Sequence, residues 1–94
     1  MTMPIADRIG NGDDAHIVAL QVLGWILTDD RRAHRFLALT GLDAERLRAS
    51  ANDPAVLSAS IDFLKTHEPD LLACSDALGI SPETLAGIDR MLTT

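Results

Sequence analysis

AHIVALQVLGWILTDDRRAHRFLAL, residues 15–39, holds the longest apolar run of the chain, its one Trp and its densest cluster of Arg. From Ala15 to Leu27 no Pro interrupts the run, and Asp13 and Asp14 precede it, where carboxylates suit the positive end of a helix dipole. Wound at the α-helical period, these residues leave one thin polar stripe: Asp14, Gln21 and Thr28, with Gly24 between the last two. A helix so nearly apolar all round belongs in a protein core or in lipid, but spanning lipid takes about 20 apolar residues. This run is shorter and contains His16 and Gln21, so it predicts a core helix over about residues 14–28. Gly24 weakens that helix by about 1 kcal/mol relative to Ala. The expected return is the close approach of a neighbouring helix beside Trp25.

Around this helix there is room for one small domain. The chain has 94 residues, 47% of them apolar but only 3% aromatic, with no Tyr. Ala and Leu dominate, which favours close-packed helices over sheet. A core of this size is modest, and oligomerisation is an ordinary way to enlarge it. The formal net charge of −6 opposes non-specific attraction to nucleic-acid backbones and anionic membranes. Cys74 is the single cysteine, so no disulfide forms within the chain. Residues 1–14 lack the apolar centre of a secretion signal, and the expected compartment is the cytoplasm with its thiols reduced.

The flanking stretches read as punctuation between short helices. Residues 1–12, with Pro4, Gly10, Asn11 and Gly12, are expected to form a flexible arm, and residues 13–94 a single helical domain. A second helix starts at about Asp29 and ends at Thr40, with Ala33, Phe36, Leu37 and Thr40 inward and Arg31, Arg32 and Arg35 outward. Asp29 and Asp30 are within reach of Arg32 and His34 as surface ion pairs. Gly41 stops the helix and Asp43 caps a short third one, about 44–51, through Leu47. Asp53-Pro54 opens a fourth helix to about Thr66. The fifth runs over about 69–78 through Leu71, Cys74 and Leu78. Gly79-Ile80-Ser81-Pro82 stops it and starts a sixth, whose Leu85, Ile88 and Leu92 point inward. No segment keeps the alternation of a strand, so the fold is all-α: a bundle of about six helices around a central apolar one.

GLDAERL (41–47) and GISPETL (79–85) match in type at every position, as two helix-turn-helix-like corners built with the same capping chemistry would. A DNA-reading corner needs basic or amide side chains early in its second helix. After Gly79 these positions hold Pro82, Glu83 and Thr84. The corner at Gly41 is better supplied, with Arg46 and Arg48 as the disfavoured candidates for nucleic-acid contact, but Asp43 and Glu45 offset them. The pairing of Asp30 with His34 and the group His67, Glu68 and Asp70 fall short of a metal-ligand set. Cys74 lies on an apolar helix face, as a small buried hydrophobe does. No phosphate-cradling loop, nucleophile elbow or paired acid is present, so neither catalysis nor a cofactor is expected. What remains is a candidate partner-binding face, Arg31, Arg32 and Arg35 beside Trp25, since Arg and Trp are common interface anchors.

The segments LGWIL (23–27), RFLALTGL (35–42) and HEPDLL (67–72) are the most specific part of a wider resemblance, from about Ala15 to Leu92. Over that range the chain resembles a family of short bacterial proteins catalogued as domain of unknown function 3572. The resemblance implies a small helical domain and no activity, cofactor or catalytic residue. Together these readings predict a module for protein–protein interaction or self-association, binding a protein partner or a second copy of itself. The alternative is a helix-turn-helix-like DNA-binding regulator.

Overall fold

In the computed structural model, which describes residues 12–92 (Gly12 and Asp13 by their backbone alone), the helices follow in the expected order. They are α1 (Gly12–Ile26), α2 (Asp30–Thr40), α3 (Ala44–Ala49), α4 (Pro54–Lys65), α5 (Glu68–Leu78) and α6 (Pro82–Leu92). No strand occurs among the described residues. The expected arm, apart from Gly12, lies outside them.

The breaks between helices fall where local chemistry puts them. Asp29 accepts the backbone N–H of Arg32, Asp43 that of Arg46 and Asp53 that of Ala55, so three helices begin on a carboxylate cap. Ser81 accepts the N–H of Thr84 and starts α6 in the same way. Gly41 and Gly79 sit in the left-handed region, at φ 72° and 69°, and donate their N–H groups to Leu37 and Ser75. Any residue with a Cβ is strained there, which is why both stops are Gly. The two corners thus share their stop and their cap, and both carry a buried leucine, Leu47 and Leu85, four residues after the cap.

Packing turns these short rods into one core. α1, α4 and α6 lie against one another, α5 braces all three, and α2 packs on α1 and α4. α1 contributes Ala15, Val18, Ala19, Val22, Leu23 and Ile26, all buried. α4 shares the central role through Val56, Leu57, Ser60, Ile61, Phe63 and Leu64. Ser60 is the one polar residue buried in the core among the described residues, and it donates to the Leu57 carbonyl at 2.6 Å. A hydroxyl buried without that bond would cost a few kcal/mol. Phe36, the one fully buried residue of α2, meets Phe63 edge to face with 5.6 Å between ring centres. Two fully buried aromatic rings in contact fix where α2 sits on α4.

The outer face of α1 departs from the sequence expectation. Ile17 is 51% exposed and Leu27 41%. The open stripe is therefore mixed, with Gln21, Gly24 and Thr28 set among aliphatic side chains. Among the described residues Gly24 does not admit a neighbouring helix, because a Cβ built there would have none of them within 4 Å. Helical periodicity locates the buried arc of α1, but its width depends on how many helices cover it. Here α2, α4, α5 and α6 leave one side open.

Candidate functional site

The three arginines of α2 have different fates. Arg32 does not face out. Its guanidinium lies 3.6 Å from the centre of the Trp25 ring and donates to the Trp25 carbonyl at 2.8 Å and the Thr28 hydroxyl at 3.0 Å. It therefore closes the turn between α1 and α2, stacking on a half-buried indole while satisfying a carbonyl at the end of α1. Arg35 crosses to α5, where it donates to Asp70 at 2.7 Å with its guanidinium 5.1 Å from the Phe63 ring centre. Arg31 is exposed. The ion pairs expected for Asp29 and Asp30 give way to longer-range contacts. Asp29 is held below the usual carboxylate range mainly by the Arg32 backbone N–H that it caps, with the nearby Arg charges adding to this.

On α2, Arg31, Arg35 and Leu39 recur every four residues and so share one strip. Leu39 is the most open large apolar residue described, at 71% exposure. It forms the lip of an apolar groove between α2 and α4, with Phe36, Thr40, Ala59 and Phe63 as its walls and a volume of about 230 Å³. The groove continues past Leu42, Ala55 and Val56 for about another 320 Å³. On the opposite flank of α2 a second groove, about 280 Å³, is lined by Leu23, Leu27, Ala33, Leu37, Ala44, Leu47 and Ala51, with Arg48 at its edge. The arginine cluster drew attention to this neighbourhood in the sequence. Leu39 was missed because RFLAL looks uniformly apolar and only packing decides which of its residues stays outside.

The other singled-out residues remain apart. His34 and His67 are exposed, on α2 and at the cap of α5. Cys74 is fully buried, and burial chiefly pushes its thiol up to about 11, with Asp70 adding to the shift and the Arg32 cation opposing it. Neither histidine, Cys74 nor Asp30 lines the grooves around α2. Among the described residues no three His, Cys, Asp or Glu side chains gather to hold a metal ion. Arg46 and Arg48 are exposed on α3, where Arg46 borders a further groove with Asp53. α6, the second helix of the Gly79 corner, packs on α4, α1 and α5 through Leu85 and Ile88. No helix among the described residues is long and apolar enough to cross a membrane.

Residues 12–94 match the family model described as protein of unknown function (DUF3572). The chain belongs to that family. Searches of curated proteins and of solved structures found no match. The DUF3572 match takes in all six helices, both Gly corners and the whole α2 strip.

Proposed function

We propose that this DUF3572 domain is a cytoplasmic protein-interaction or self-association module with no catalytic role, and that α2 is the centre of its binding surface. The observation that carries the reading is Leu39, 71% exposed on the lip of an apolar groove. An isolated surface leucine is ordinary, but one flanked by grooves on both sides of its helix lies within a larger apolar patch. Arg31 and Arg35 continue its strip, and with Arg35 already paired to Asp70 the surface suits a partner helix with aliphatic anchors and a carboxylate for Arg31. The same arginines argue less well for DNA. Asp30 and Asp70 lie among them, and α6 opens on Pro82 and Glu83.

The test is affinity capture from native lysate followed by mass spectrometry, run in parallel with wild type and Leu39→Glu. The expected result is a protein retained by wild type and lost from the variant. Light scattering gives the oligomeric state of both. A strictly monomeric wild type that captures nothing ends this reading, and anisotropy against random duplex DNA at low salt tests the alternative.

A further inference from the structure

α2 and α3 are thinly attached to the rest of the fold. Among the described residues, every buried apolar side chain except Phe36 and Leu47 belongs to α1, α4, α5 or α6, or is Ile80 between the last two. Those four helices therefore enclose a core of their own. α2 rests on α1 and α4 and buries Phe36 alone, and α3 buries Leu47 alone. The seams on either side of α2 are open grooves, about 230 and 320 Å³ towards α4 and about 280 Å³ towards α1. Two arginines supply the remaining ties. Arg32 stacks on Trp25 at 3.6 Å, and Arg35, itself exposed, reaches Asp70 of α5 at 2.7 Å. An ion pair that open contributes little. Both ends of the unit are irregular, at 27–29 and at 50–53.

We propose that residues 29–52 form a flap that comes off as one unit while the four-helix core stays folded. The inference goes beyond the function proposed above and holds with or without a partner on α2. Sub-global opening follows the density of buried contacts, so a unit with few of them leaves before one with many. Once detached, α2 with 11 residues and α3 with 6 are shorter than a helix stable alone in water, so their backbone bonds go with the contacts. Opening uncovers Phe63, which Phe36 stands against, and Leu23, which shares a groove with Leu37 and Leu47. Each is only 4% exposed while the flap is closed. With α2 gone from between them, the flanking grooves merge into one apolar cleft on α1 and α4. The closed protein thus shows a partner the outer strip of α2, and the open one shows this cleft.

Native-state hydrogen exchange of the full chain, read peptide by peptide in a mass spectrometer, tests this. Amides of α2 and α3 should exchange together, about 100-fold faster than those of α4. Ile88→Val, in α6, weakens the core and spares the flap's own contacts. It should speed exchange in α4 and α6 by about 3–10-fold. α2 and α3 should keep their wild-type rate, because the core is intact when the flap opens. If α2 and α3 exchange at the rate of α4 and quicken with it in Ile88→Val, the chain opens only as a whole and the proposal is overturned. Exchange of α3 apart from α2 also overturns it, since that is the fraying of separate helices. Capture that returns no partner ends the α2 reading without bearing on exchange, and uniform exchange leaves that reading standing.

Discussion

Gly24→Ala is the substitution whose sign depends most directly on what lies outside α1. The structure leaves the added methyl free of contact, so no steric cost offsets the gain in helix propensity. That gain is about 1 kcal/mol in a helix interior, and Gly24 lies in the last turn, so about half is a reasonable expectation. For a domain of this size a stabilisation of about 0.5–1 kcal/mol raises Tm by about 2–6 °C. The assay is thermal unfolding followed by circular dichroism, first at low micromolar concentration, where the monomer dominates. Gly87→Ala is the companion control. Gly87 lies inside α6 with nothing within 4 Å of its Cβ, so it should stabilise equally at every concentration. A lower Tm for Gly24→Ala in dilute solution would refute the reasoning, since it would mean that something within the monomer already stands against that position.

Phe36→Ala and Leu39→Glu, three residues apart on α2, should separate stability from binding. The first empties a fully buried site against Phe63 and costs about 3–5 kcal/mol by urea unfolding, much of the ~5–14 kcal/mol expected for this length. The second should cost less than ~0.5 kcal/mol yet lose the captured partner. Arg32→Ala removes both the stack on Trp25 and the donor to its carbonyl. It should destabilise by about 1–2 kcal/mol and shift the emission of the one Trp. Cys74 makes the fold alkali-sensitive. Above pH ~9 the unfolded thiol gives up its proton while the folded one keeps it to about 11, so stability present below pH 9 falls through that window. Cys74→Ala should flatten the decline in a pH series of urea melts, and Cys74 should resist a thiol reagent at pH 8 until the protein unfolds.

Much of the fold was legible because the signals that divide it are local. A cap needs only a carboxylate or hydroxyl two or three residues before the N–H it accepts, so Asp29, Asp43, Asp53 and Ser81 announce their helices. Gly41 and Gly79 were equally plain, since a left-handed stop is a property of one residue. What escaped depends on partners far along the chain. Arg35 finds Asp70 thirty-five positions away, and no helical spacing points to it. Arg32 was read outward because the i, i+3 rule offered Asp29, but the indole of the preceding helix provides a broader, drier surface. The burial of Ser60 has no local signal and follows only from α4 being enclosed by α1, α5 and α6. The close neighbour expected at Gly24 is absent among the described residues, because a glycine within a helix does not by itself say whether another helix approaches it.

Charge distribution gives self-association and partner binding through α2 opposite responses to salt. Five of the eight Lys and Arg residues lie between Asp29 and Arg48, with four of the fourteen carboxylates. That segment is therefore net +1 and the remainder of the chain net −7. Two copies meeting away from that segment bring like-charged bodies together over an apolar contact, so raising the ionic strength screens their repulsion and tightens the association. A partner with carboxylates docked on the Arg31–Arg35–Leu39 strip is held in part by attraction between opposite charges, and the same salt should weaken it. Measuring both associations across one salt series thus assigns each to its surface without a substitution. A dimer that dissociates with added salt would place its contacts on the basic α2–α3 side.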